Sequence, residues 1–232
     1  GGSLIQHKKE HSIHCNINEN DKVFYFTTCG WMMWNWLVSA LASKATIVLY
    51  DGSPFVPYKK YLFEIAETEK LNFFGTGAKY LDTFRNSKVD IKSNFKLNHL
   101  KILASTGSPL VNETFEYVYN SIKKNIHLAS ISGGTDIVSC FVLGNPSSPV
   151  FSGEIQCAGL GMDVDIFNDE GLSVSYEKGE LVCKTPFPSK PLYFWNDKNF
   201  KKYKKSYFSK YPNIWCHGDY CIKTINNGYI IL

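Results

Sequence analysis

Five short, nearly continuous apolar runs punctuate the first 145 residues: Val23–Thr27, Ala45–Tyr50, Leu71–Gly75, Leu100–Ser105 and Ile126–Ser130. Stretches of helical periodicity separate them. Tyr58, Tyr61, Leu62, Ile65 and Ala66 fall on one helix face, and Val111, Phe115, Val118, Tyr119 and Ile122 fall on another. Strands that lack polar alternation are buried on both faces, and intervening helices supply the cover. The expected fold class is α/β, a mostly parallel sheet with helices on both faces. The twenty mostly apolar residues from Trp31 to Tyr50 imitate a membrane span, but Asn35, Ser39, Ser43 and Lys44 interrupt them. A buried helix over Trp34–Ala42 followed by a buried strand is expected there, with no membrane as partner.

The texture changes after Gly144, Asn145 and Pro146. Short alternating segments follow, divided by Gly153, Gly159, Gly161, Asn168–Gly171, Pro186, Pro188 and Pro191. The segment Gly179–Cys183 reads as an antiparallel strand. Residues 1–145 are therefore expected to form an α/β part, and residues 146–232 a small β-rich, barrel-like subdomain. With 44% hydrophobic and 20% charged residues, the 232-residue chain buries a core without disulfide or metal staples. Its seven cysteines, at 15, 29, 140, 157, 183, 216 and 221, form no C-x-x-C pair. Reduced thiols and a cytosolic location are expected. No signal-peptide pattern opens the chain, so the sequon at Asn112 is read as chance.

Two clusters imitate known chemistry. His7-Lys8-Lys9-Glu10-His11 fits the H-x-x-E-H pattern of inverted zinc peptidases, with His14 a further turn along. Five-residue patterns arise often by chance, and a solvated helix flank is the expectation. Lys198, Lys201, Lys202, Lys204 and Lys205 are interleaved with Phe200, Tyr203, Tyr207 and Phe208. Such a mixture suits nucleic acid, and equally a helix whose aromatics pack inward. The net charge of +4 is too small to argue for nucleic acid, and none is expected as partner.

The Gly/Ser/Thr loops carry more information. Leu103–Pro109 (LASTGSP) leaves one expected strand, and Ala129–Asp136 (ASISGGTD) leaves the next. Ligands of open parallel sheets bind outside the carboxyl ends of the strands, so two successive loops there make a crevice wall. Thr135 and Asp136 offer a hydroxyl and a carboxylate, oxygen ligands suited to a magnesium nucleotide.

The run Ser130–Asp136 resembles the Gly-x-Thr-Glu core motif of the acyl-adenylate-forming, or acyl-CoA synthetase, superfamily. Three further segments agree in order and spacing. Tyr25–Trp36 (YFTTCGWMMWNW) resembles the aromatic stretch of the acyl pocket. Gly179–Val182 (GELV) with Phe194–Asp197 (FWND) resembles the approach to the last motif, and Trp215–Tyr220 (WCHGDY) the Gly-Asp motif itself. Within the superfamily, Gly30–Trp36, Val48–Pro54 and His127–Ile137 resemble the acetoacetyl-CoA synthetase family, as does Pro186–Pro188 ahead of Phe194. The likeness covers essentially the whole chain.

That resemblance implies an AMP-binding adenylation core, with residues 1–145 as its α/β part and 146–232 as its β-rich subdomain. It implies ATP, Mg2+ and CoA as cofactor or co-substrates, and acetoacetate as the acid. Gly107, Ser108 and Pro109 would pack on one side of adenine; Ser130, Ile131 and Ser132 would pack on the other, next to Gly133 and Gly134. Thr135 would contact phosphate and Asp136 would hold the metal, one methylene shorter than the Glu of most relatives. Asp219 would accept the ribose hydroxyls. Trp31, Met32, Met33, Thr106 and Gly133 would line the acyl pocket, the missing side chain at Gly133 leaving room for a four-carbon acid. Against the family pattern a phosphate loop would precede Gly1, and a mobile domain carrying the adenylation lysine would follow Leu232. An internal piece without turnover of its own is the expectation.

Overall fold

The computed structural model describes residues 1–232. The five apolar runs become five parallel strands: β1 Lys22–Tyr25, β2 Thr46–Val48, β3 Phe73–Gly77, β4 Ile102–Thr106 and β5 His127–Ser130. Their order is β2-β1-β3-β4-β5, so winding reverses at β1. Successive side chains alternate between the two faces, and both faces are buried in β1, β3, β4 and β5. The strand expected to be buried after the second helix is instead the sheet edge β2, with Thr46 exposed and Ile47 and Val48 half-buried, because only one neighbour covers it. Phe24, Phe74 and Leu103 enter one core with α3 (Tyr61–Thr68), α4 (Ala78–Asn86) and α5 (Asn112–Tyr117). Val23, Tyr25, Phe73 and Ile102 enter the other with Met33, Trp36 and Leu37 of α2 (Met32–Ser39). No helix is long and apolar enough to cross a membrane.

Several boundaries differ from expectation. The second helix starts at Met32 rather than Trp34, tightens to a 3-10 turn over Ala40–Ser43, and stops where Lys44 turns left-handed. Tyr58 and Val111, counted on helix faces, lie just ahead of their helices and are exposed. Val111 is extended, at φ −79° and ψ 154°, so it caps α5 rather than entering it. The stripe of Tyr80, Leu81 and Phe84 makes α4 an amphipathic helix that no apolar run announces.

The largest correction is at the N-terminus. Helix α1 (Gly2–Lys9) continues as a wider π turn over Glu10–His14, and this segment is no solvated flank. Gln6, His7, Glu10, His11 and His14 are all buried. Tertiary partners satisfy most of their polar atoms, which is what makes a polar sequence tolerable inside.

Antiparallel strands follow. β6 (Ser132–Gly134), β7 (Ser139–Leu143) and β8 (Cys157–Ala158) form a three-stranded sheet, β7 pairing with β8 across residue 146. β9 (Val164–Phe167), β10 (Gly179–Cys183), β11 (Trp215–Lys223) and β12 (Tyr229–Ile231) form a half-barrel in the order β12-β11-β10-β9. Helix α6 (Lys201–Phe208) covers that sheet with Tyr203 and Tyr207 buried and its lysines in solvent. The lysine–aromatic cluster is thus a helix whose aromatics pack inward.

Candidate functional site

A cavity of about 630 Å3 opens at the carboxyl ends of β1, β3, β4 and β5. Its size falls in the usual range for small-molecule sites, roughly 300–1,000 Å3. Tyr25 and Phe26 come from the end of β1, Gly77 to Lys79 from the β3–α4 junction, and Thr106–Pro109 from the loop after β4. Ser130–Thr135 extend from β5 through β6, while Ile155, Asp219, Ile231 and Leu232 close it from the β-rich side.

Every expected site residue borders this cavity except Asp136: Trp31, Met32, Met33, Thr106, Gly107, Ser108, Pro109, Ser130, Ile131, Ser132, Gly133, Gly134, Thr135 and Asp219. Asp136 is exposed and lies off the wall. Burial first, and then the neighbouring Asp136 carboxylate, push the Tyr207 phenol above its ordinary range. Asp136 is therefore turned towards α6.

The loops are held by specific contacts. Gly107 adopts φ of +87°, a conformation that side-chain-bearing residues rarely take, and so turns the chain out of β4. The Thr106 hydroxyl donates to the Ile131 carbonyl at 2.9 Å, tying the loop after β4 to the loop after β5. A β-carbon at Gly133 would lie 2.1 Å from the Ser139 carbonyl oxygen and 2.7 Å from the Cys140 Cα. The expectation that Gly133 leaves room for the acid is corrected here. Its missing side chain lets β6 lie against β7 at a register shift, and the β-carbon would point into backbone rather than into the cavity.

Sequence reasoning passed over His217. Its ring sits where a Gly134 β-carbon would be, 2.4 Å from that position, and its Nε2–H donates to the Gly133 carbonyl at 3.2 Å. The same nitrogen is 3.6 Å from Asp219 Oδ2, so one imidazole joins the two glycines to the expected ribose carboxylate. A histidine two residues before an aspartate carries no periodic signal, and only folding brings it to Gly134. Lys79, Cys140, Ile155 and Ile231 were missed for the same reason, whereas Tyr25 opens the stretch that resembles the acyl pocket and does border the cavity.

The zinc-peptidase pattern is not assembled. The His7 ring bonds Ser39 Oγ at 2.9 Å and, through its other nitrogen, the Val138 carbonyl. The His11 ring stands edge-on to Trp36 at 4.1 Å with no hydrogen-bond partner. No three His, Cys, Asp or Glu side chains converge as metal ligands.

No protein-family model matches the chain. Curated relatives do. The acetoacetyl-coenzyme A synthetase of Rhizobium meliloti (strain 1021) is 54% identical over 231 residues, covering 100% of this chain and 36% of that protein. The acetoacetyl-CoA synthetase of Gallus gallus is 50% identical over 232 residues, covering 100% of this chain and 35% of that protein. The solved acetoacetyl-CoA synthetase from Streptomyces lividans superposes with a TM-score of 0.94 at 40% identity, over 100% of this chain and 36% of its own. The chain spans about a third of the length of the curated relatives it matches.

Proposed function

Because this chain is a homologue of acetoacetyl-CoA synthetases along its whole length, we propose that it forms part of the adenylation core of an enzyme that activates acetoacetate. The acetoacetate carboxylate attacks the α-phosphorus of ATP and expels pyrophosphate, leaving acetoacetyl-AMP. The CoA thiol, losing its proton, then displaces AMP and gives acetoacetyl-CoA. Such chemistry depends on positioning and charge neutralisation more than on a nucleophilic side chain.

The observation that carries this reading is the convergence of segments 31–33, 106–109, 130–135 and 219 on one cavity. Gly107–Pro109 and Ser130–Ser132 flank the adenine, Thr135 contacts phosphate, and Asp219 takes the ribose hydroxyls. Trp31, Met32, Met33 and Thr106, with the backbone of Gly133, surround the acid. Mg2+ usually keeps several waters and takes one or two carboxylates plus phosphate oxygens. The exposed carboxylate of Asp136, next to Thr135, would meet that demand once turned from Tyr207 towards the cavity; when bound, the ion would neutralise phosphate charge. Residues 1–145 and 146–232 serve as the two parts of one core. The partners are the small molecules acetoacetate, ATP and CoA, and the enzyme works in the cytosol.

The test is a chimera in which this chain replaces the matched third of the Streptomyces lividans enzyme. Acetoacetate-dependent pyrophosphate release and acetoacetyl-CoA formation are expected. A folded chimera that binds ATP yet forms neither product overturns the reading. Assayed by itself with acetoacetate, ATP, Mg2+ and CoA, the 232-residue chain should release pyrophosphate only at background. A rate near the typical ~10 per second would refute that second expectation.

A further inference from the structure

Glu10 is fully buried and stands behind the cavity wall rather than on it. Its Oε2 accepts from the Trp36 indole N–H at 2.9 Å. Its Oε1 accepts from the Ser139 hydroxyl at 2.5 Å and from the Cys140 backbone N–H at 3.2 Å. The Lys9 ammonium lies 4.0 Å from the same oxygen. A buried carboxylate is costly to keep unless donors satisfy its oxygens, and here the donors come from two elements distant in sequence. Helix α2 contributes Trp36 and presents Met32 and Met33 to the cavity; strand β7 contributes Ser139 and Cys140, which border the cavity themselves. Tyr25, Met33, Trp36, Ile131 and Cys140 belong to one apolar core, so this tie lies behind the apolar end of the cavity.

We propose that Glu10 is a positioning residue that sets the spacing of α2 and β7, and through it the shape of the acyl pocket, selecting the four-carbon oxo acid over shorter and longer acids. The proposal rests on the functional reading above, which places the acid among Trp31, Met32 and Met33. Glutamine tests it with little change of volume. Its amide nitrogen must face either the indole N–H or the Cys140 N–H, and neither can accept a hydrogen bond. One tie between α2 and β7 is lost while the side chain stays in place.

The chimera and its Glu10→Gln variant are compared with acetoacetate, acetate and 3-oxohexanoate as acids. The KM for acetoacetate should rise about tenfold, and the kcat/KM preference for acetoacetate should fall about tenfold, since displacements near 1 Å cost rates of that order or more. The KM for ATP should change less than that for acetoacetate, because Glu10 and its donors make no hydrogen bond to Gly107–Pro109, Thr135 or Asp219, although β7 pairs with β6. An unchanged preference, or a uniform loss of kcat with every KM unaltered, overturns the proposal; the latter marks a merely structural residue. Should Glu10→Gln fail to fold, Ser139→Ala and Trp36→Phe each delete one donor and should move the preference the same way, and two unmoved preferences overturn the proposal equally. An inactive parent chimera would instead condemn the functional reading.

Discussion

A methyl group at Gly133 would have to occupy space held by the β7 backbone, 2.1 Å from the Ser139 carbonyl oxygen. Backbone cannot swing aside as the end of a flexible side chain can, so the strands must part. Gly133→Ala should therefore lower stability by about 1–3 kcal/mol, as overpacking does, a loss of several degrees in a melting curve. A melting temperature equal to that of the parent would show that β6 and β7 have slack. At Asp219 the effect should fall on the ligand instead. Its side chain is 43% exposed beside His217, free to meet a nucleotide. A carboxylate accepting two ribose hydroxyls makes charge-assisted bonds of roughly 1.5–3 kcal/mol each. In the chimera, Asp219→Asn should weaken ATP by about tenfold to a hundredfold while the KM for acetoacetate holds. Titration of ATP, followed by the fluorescence of tryptophan, checks it, since Trp31 borders the same cavity.

Among the elements, α6 shows how a basic surface and an aromatic core share one helix. Lys201, Lys202, Lys204 and Lys205 face solvent, whereas Tyr203 and Tyr207 are buried. The Tyr207 and Trp215 rings stack with centroids 3.7 Å apart and planes 13° from parallel. Two backbone N–H groups at the helix start, those of Lys202 and Tyr203, donate to the Asp197 carboxylate at 2.9 and 2.8 Å. This satisfies donors that a helix N-terminus otherwise leaves open. Tyr207→Ala should cost about 3–5 kcal/mol, the range of buried aromatic truncations. Changing the four lysines to glutamine should stay within roughly 0.5 kcal/mol of the parent. Urea unfolding of both variants decides; equal losses would mean that the helix is held by its charges. The alternation of lysine and aromatic was legible in the sequence. Which of the two faced the protein was not, because Trp215 arrives from a strand seven residues past the helix end.

For the whole molecule, buried histidines couple stability to acid. Burial holds His11 down to about 3 from its ordinary 6.5, the neighbouring His7 adding to the effect. Burial lowers His14 and His127 as well, against the Gly144 carbonyl and the Gln156 side chain respectively. Each group is depressed in the folded state, so the unfolded chain binds more protons in the interval between its folded and ordinary values. Stability then rises with pH across that interval. The histidine contribution to the melting temperature should be flat above about 6.5 and should fall progressively between there and about 3. His11→Leu, which removes a ring with two unpartnered nitrogens, should flatten that fall. Melting curves at half-unit pH steps would show it, and parallel profiles for parent and variant would dismiss His11 as the cause.

Local pattern was enough for the sheet. Residues buried on both faces of a parallel strand must be apolar at every position, and Val23, Phe24 and Tyr25 declare that in the chain itself. The loops after β4 and β5 were legible too, since a ligand crevice forms at strand carboxyl ends whatever the side chains elsewhere. The N-terminal segment was not. His7, Glu10, His11 and His14 look like a solvated surface because local polarity reports only the cost of burial, never the partners that offset it. Those partners are Val138, Ser139, Cys140 and Gly144, about 130 residues away along the chain. The same limit applies at Gly133, where the sequence records a missing side chain and only the fold tells whether a cavity or a backbone fills its place. Composition and periodicity marked the apolar segments that are buried; contacts between distant segments, whose energies depend on three-dimensional proximity, decided that a polar segment is buried too, and what each buried polar group and each glycine is for.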